Sequence, residues 1–106
     1  MLGQMPGVHV DVAPNAIDAL RLLRMHSASR EPYHLLVTDH EMEPMQGLEL
    51  LVRSSSESPG TMRVMMSARP DVEEEAAVQT LAHAFLAKPV SPSRLKLMVE
   101  LAREDE

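Results

Sequence analysis

Leu35-Leu36-Val37-Thr38-Asp39-His40-Glu41-Met42-Glu43-Pro44-Met45-Gln46-Gly47-Leu48-Glu49-Leu50-Leu51 reads as a strand, a loop and the start of a helix. Leu35-Leu36-Val37 is a short, unbroken apolar run. Consecutive apolar side chains point to opposite faces of a strand, so this one is covered on both sides, as at the centre of a parallel sheet. The run ends in Thr38-Asp39. After Gly47, Leu48, Leu51 and Val52 follow at helical spacing.

The same alternation extends in both directions. Upstream, Ala16, Ile17, Leu20 and Leu23 predict an amphipathic helix over about residues 14–26. Before it, Val8, Val10 and Val12 alternate with His9 and Asp11, which predicts a half-exposed edge strand. Downstream, Val64-Met65-Met66 is a second buried run, closed by Ser67. Asp71 heads a helix with Glu74 as its capping-box partner, Glu73 to Glu75 in its first turn, and Ala77, Val78 and Leu81 inside. Ala84-Phe85-Leu86-Ala87 is a third buried run, closed by Lys88-Pro89. Ser91 caps the last helix, Pro92 takes its first position, and Leu95, Met98, Val99 and Ala102 line it. The predicted fold class is therefore α/β. About four parallel strands alternate with helices, in a flavodoxin-like arrangement with right-handed crossovers.

Composition bounds the function. A chain of 106 residues, 44% hydrophobic and 25% charged, is expected to form one domain over 1–106 rather than a disordered segment. The net charge of −6 argues against a nucleic-acid surface, which needs clustered cations. With no cysteine, thiolate chemistry and cysteine-ligated zinc are excluded. No apolar run approaches the ~18 residues of a membrane span, and the first residues lack a signal-peptide layout, so a cytoplasmic location is expected. The five histidines show no metal-binding spacing, and His40 is expected at the surface.

Ligands of open parallel sheets sit at the carboxyl ends of the strands. Asp39, Ser67 and Lys88 each close one strand, so a carboxylate, a hydroxyl and an ammonium are expected on one rim. That trio suits an acyl phosphate: the carboxylate is the nucleophile, and the other two hold the phosphoryl oxygens and offset their charge.

On these residues the chain resembles a response-regulator receiver domain. The phosphoacceptor-like segment is Leu35 to Leu51, with its Asp, Met, Pro, Met and helix-opening Gly. Val64-Met65-Met66-Ser67-Ala68 resembles the family's apolar strand ending in a hydroxyl residue and Ala. Phe85-Leu86-Ala87-Lys88-Pro89-Val90 resembles its Lys-Pro segment. The resemblance implies two-component signalling rather than enzyme catalysis. Asp39 would accept a phosphoryl group from a histidine kinase or phosphotransfer protein, and Ser67 and Lys88 would bind it. Ser67 and Phe85 would form the switch pair, and the Lys88–Pro89 bond would be cis. Contacts with a protein partner would fall on the last two helices and last strand.

The chain departs from the family at its beginning. Receivers have five βα units and this reading finds four, with the segment from Val8 resembling the second. A second register makes Asp11 one acid of a first unit. The family's first strand ends in an acidic pair that holds Mg²⁺, and no such pair precedes Asp39. Asp39 and the Glu41 backbone carbonyl alone would bind Mg²⁺ weakly or not at all. The expected function is an atypical receiver with impaired phosphorylation. A phosphorylation-competent single-domain regulator is one alternative; a small haloacid dehalogenase-like phosphatase, suggested by Asp39-His40-Glu41, Ser67 and Lys88, is another. Without a first strand, either Val8–Val12 moves in beside Leu35–Val37 or an edge stays open and another chain fills it, which predicts a bias towards a homodimer or strand exchange.

Overall fold

The structure, a computed structural model, describes residues 7–104. Among them are three strands and five helices: α1 (Ala16–Ala28), β1 (Leu35–Asp39), α2 (Gly47–Glu57), β2 (Met62–Ser67), α3 (Pro70–Glu73), α4 (Ala76–Leu81), β3 (Ala84–Ala87) and α5 (Pro92–Glu104). The strands form one parallel sheet in the order β1-β2-β3. Val37 lies beside Val64, and Val64 beside Ala84.

Helices cover both faces, because alternate side chains of each strand are apolar in both directions. On one face Leu36 packs with Ala16, Leu20 and Leu23 of α1 and Leu50 of α2. Next to that group, Leu51, Met65, Val72 and Val78 form a second buried cluster, joined by Phe85. On the other face Val64 and Leu86 meet Met98 and Leu95 of α5, with Leu35 and Val37 at the margin. Asn15 starts α1, its side-chain oxygen accepting the Asp18 N–H at 2.9 Å.

Several expectations are corrected. The sheet has three described strands rather than about four: Val8–Val12 is not a strand. Alternation gives a segment one apolar edge, but a strand also needs a backbone partner, and no described backbone pairs with it. Val12 stays 85% exposed. Among the described residues β1 therefore pairs with β2 alone.

The helix expected from Asp71 to Leu81 is two short helices, broken at Glu74 and Glu75. Val72 and Val78 both bury in the same cluster. Six residues of continuous helix would set them about 120° apart around the axis, and the break turns both towards that cluster. The start falls at Pro70, with Arg69 as a cap residue that makes no side-chain bond, so Asp71 and Glu74 form no capping box. Ala77 is exposed, not inside. At the start of α5, the Ser91 hydroxyl meets that of Ser93 at 2.8 Å.

Side chains hold the first described residues in place of a ladder. Arg103 Nη2 of α5 donates to the Gly7 carbonyl at 3.1 Å. The Tyr33 hydroxyl donates to Asp11, whose carboxylate also has His9 Nε2 at 3.3 Å and His26 Nε2 at 3.8 Å. Burial, together with the bond to Asp11, pushes the Tyr33 phenol up to about 12 from its ordinary 10.0. The same bond holds the Asp11 carboxyl below its ordinary 3.8.

The signs follow by linkage. The raised phenol stabilises the fold fully below pH 10, and that contribution fades as pH climbs towards 12. The depressed carboxyl contributes above its ordinary value and loses that contribution as pH falls through its lower folded one. Tyr33 is the chain's single tyrosine, so ultraviolet titration reads it alone. The phenolate midpoint is expected near 12, falling towards 10 in Asp11→Ala; an unchanged midpoint in that variant would remove the tether.

Candidate functional site

The loops at the carboxyl ends of the strands place the expected residues on one rim. Asp39 ends β1 and Ser67 ends β2, while Lys88 follows β3 directly. Adjacent parallel strands bring their ends to one level, and backbone bonds fix that level here. The His40 N–H donates to the Met66 carbonyl at 2.9 Å, and the Lys88 N–H to the Ser67 carbonyl at 2.9 Å. Met66 is the ladder partner of Asp39.

Asp39 and Lys88 touch: the Lys88 ammonium donates to Asp39 Oδ2. Both side chains keep about a third of their surface open, 32% for Asp39 and 38% for Lys88, so the pair faces solvent where a small anion can reach it. The Lys88–Pro89 and Glu43–Pro44 peptide bonds are cis.

Ser67 is placed differently. It is buried, and its Oγ accepts the Arg69 N–H at 3.0 Å. Its hydroxyl is thus held by the loop that follows β2 rather than by Asp39. Phe85 is half-buried, against the cluster of Leu51, Met65, Val72 and Val78. Thr38, buried beside Asp39, donates to the Asp39 carbonyl at 3.2 Å.

Arg69 is a rim residue that the sequence reading missed. Its guanidinium reaches Asp71 Oδ2 at 2.8 Å and Glu41 Oε1 at 3.4 Å. Those bonds, Asp71 first, hold the guanidinium above its ordinary value, and Arg69 in turn lowers Asp71. A cation two residues after a strand-end hydroxyl was the available signal; no periodicity marks it. His40 was expected at the surface and is instead 9% exposed, with a buried Nδ1 that has no hydrogen-bond partner.

The donor set does not match Mg²⁺, which favours near-octahedral oxygen and usually one or two free carboxylates with phosphate. Asp39 is paired with Lys88, and the Glu41 carboxylate turns to Arg69 with 66% of its side chain exposed. No three His, Asp or Glu side chains gather to hold a metal among the described residues. At the rim the carboxylates of Asp39, Glu41 and Asp71 are met by the cations of Lys88 and Arg69, leaving an excess of one negative charge.

Comparison with known proteins converges on one family. The model of the response regulator receiver domain matches residues 1–100. Among solved structures, the signal receiver domain of an HD domain-containing protein from Pseudomonas fluorescens Pf-5 superposes with a TM-score of 0.80 at 30% identity, over 97% of this chain and 73% of that one. A CheY-like receiver domain protein from Methanospirillum hungatei JF-1 gives 0.78 at 26% identity, over 93% and 77%. Among curated proteins, the transcriptional regulatory protein GlrR of Escherichia coli (strain K12) is 28% identical over 99 residues, 92% of this chain. The chain spans only 21% of that protein's length. Among the described residues no helix is long and apolar enough to cross a membrane.

Proposed function

The chain belongs to the response regulator receiver domain family, and on that premise we propose that it is an atypical receiver, with Asp39 as phosphoacceptor, whose phosphorylation is impaired. Receiver domains are signalling modules that interact with histidine kinases. The carrying observation is the Asp39–Lys88 contact at the ends of β1 and β3, with Ser67 on the strand between.

In the reaction, an Asp39 carboxylate oxygen attacks the phosphorus of the donor. The bond from phosphorus to the donor's leaving group breaks, and the leaving group departs with that electron pair. Lys88 must release Asp39 and turn to the phosphoryl oxygens. Ser67 must give up the Arg69 N–H to reach them, and Phe85, packed against the cluster that holds Met65 and Val72, would follow that movement as the switch partner.

Impairment rests on charge. The family pattern places an acidic pair at the end of a first strand. Here the sheet begins at Leu35, and nothing described supplies that pair beside Asp39. On this reading residues 1–106 are one receiver-like domain. Its output is a protein contact on α4, β3 and α5, where Leu97 and Leu101 stand exposed.

The test is intact mass after incubation with acetyl phosphate and Mg²⁺, for the wild type and for Asp39→Asn. The wild type is expected to gain only a small fraction of one phosphoryl group, and the variant none. Rapid stoichiometric gain in the wild type, lost in the variant, would keep Asp39 as acceptor and overturn the impairment.

A further inference from the structure

At the end of the sheet away from Asp39 and Lys88, the starts of β2 and β3 are joined by an exchange of bonds. The His83 N–H donates to the Arg63 carbonyl at 2.8 Å, as a parallel ladder requires. In such a ladder both groups of a residue point the same way, so the Arg63 N–H also faces β3, towards the carbonyl two residues before His83. That carbonyl is Leu81, where α4 ends, and it accepts Arg63 Nε at 2.7 Å instead. The Arg63 N–H donates to Nδ1 of the His83 imidazole at 2.9 Å.

The exchange ties three elements together. Arg63 lies in β2, His83 immediately precedes β3, and Leu81 closes α4. Leu81 and Ala82 pack against the cluster of Leu51, Met65, Val72 and Val78. The two side-chain bonds therefore fix how the chain leaves α4 and enters the sheet.

Nδ1 can accept only while it keeps a lone pair, so the bond selects the neutral ring with its proton on Nε2. Protonation puts a hydrogen on Nδ1, against the Arg63 N–H. It also adds a positive charge to a residue whose ladder neighbour, Arg63, already carries one, a step before the paired Val64 and Ala84. α4 itself carries no charged side chain. On the α3 side the charged group is Glu73, which lines a shallow depression with Gln79, Ala82 and Phe85. Across β2 the titratable group is His34, whose carbonyl accepts the Met62 N–H.

We propose that Arg63 and His83 form an acid-released clasp, which opens when the His83 imidazole takes a proton and frees the end of α4 and the start of β3. The clasp lies at the opposite end of the strands from Asp39 and Lys88, so it works whether or not Asp39 takes a phosphoryl group. α4 and β3 belong to the face proposed for a protein partner. On that reading a proton tunes the contact without passing through Asp39.

Amide exchange of the full chain, corrected for its intrinsic pH dependence, tests the clasp. From about pH 7.5 to about pH 5.5, on either side of the ordinary imidazole value of about 6.5, protection of the Arg63 amide is expected to fall roughly five- to tenfold, the worth of one hydrogen bond. The Ala82 amide, bonded to the Val78 carbonyl at the end of α4, is expected to lose protection with it. The His40 amide, bonded to the Met66 carbonyl at the other end of the sheet, is expected to hold.

His83→Asn offers an amide oxygen in place of Nδ1 and has nothing to titrate, while His83→Ala offers no acceptor. In both variants the difference between the two pH values is expected to vanish, with the Arg63 amide protected in the first and open in the second. Nitrogen-15 spectra of the wild-type ring are expected to show the proton on Nε2 at the higher pH. Unchanged Arg63 protection in the wild type, a fall shared by the His40 amide, a fall that persists in either variant, or a neutral ring protonated on Nδ1 overturns the clasp.

Discussion

Replacing Gly47 with alanine is expected to lower the melting temperature by more than about 10 °C. A Cβ at this position would lie 1.9 Å from the Asp39 carbonyl oxygen, 2.9 Å from its carbon and 3.1 Å from the His40 Cα. All three are backbone atoms, so no side chain can swing aside. The Gly47 N–H is bonded to the His40 carbonyl at 3.1 Å, which draws α2 onto the end of β1. Relief therefore requires moving the start of α2 or the Asp39–His40 loop.

Overpacking that only displaces side chains costs up to about 3 kcal/mol, and a backbone collision should reach at least that. For a domain of this size each kcal/mol is worth roughly 4–8 °C. Thermal unfolding followed by circular dichroism checks it; a loss within about 2 °C would mean that the close approach is absent in solution. The same displacement carries Asp39 away from Lys88, so the variant is also expected to lose what phosphoryl acceptance the wild type has.

The second large effect is on the chemistry of Asp39. Metal-ion stabilisation of developing charge is worth several kcal/mol, so a receiver without a fitted Mg²⁺ site should be phosphorylated roughly a hundredfold or more slowly than one that has it. The rim compounds this, since an anionic donor approaches an excess negative charge and Arg69 is already shared between Asp71 and Glu41.

Two consequences separate a slow receiver from a merely inactive preparation. Chelating Mg²⁺ is expected to change the residual rate by less than about twofold. Lys88→Ala is expected to lower that rate a further ten- to hundredfold, the worth of a hydrogen bond to a charged group. Both are read as phosphoryl gain by intact mass over time with acetyl phosphate. A steep loss on chelation would show that a metal site forms and that carboxylates not described at this rim supply it.

The local reading of the sequence held where one residue type and one period agree. Leu35–Val37, Val64–Met66 and Ala84–Ala87 are strands because contiguous apolar side chains can be buried on both sides of a sheet and on neither side of a loop. Gly47 opens α2 because no Cβ fits against Asp39, and the rim residues followed from where the strands stop. The break between α3 and α4 was not legible, because it depends on Val72 and Val78 sharing one cluster with Leu51 and Met65, which lie elsewhere in the chain.

By itself, then, the sequence determined the α/β alternation, the three buried strands and the order in which Asp39, Ser67 and Lys88 close them. Only the tertiary structure decided the rest. It set Asp39 against Lys88, turned Ser67 to Arg69, buried His40 and held Gly7 by Arg103 and Asp11 by Tyr33 in place of an added strand. The physical reason is that burial periodicity is a property of one segment. Pairing a backbone edge or neutralising a carboxylate instead needs a second segment far along the chain, and nothing in the first encodes which one arrives.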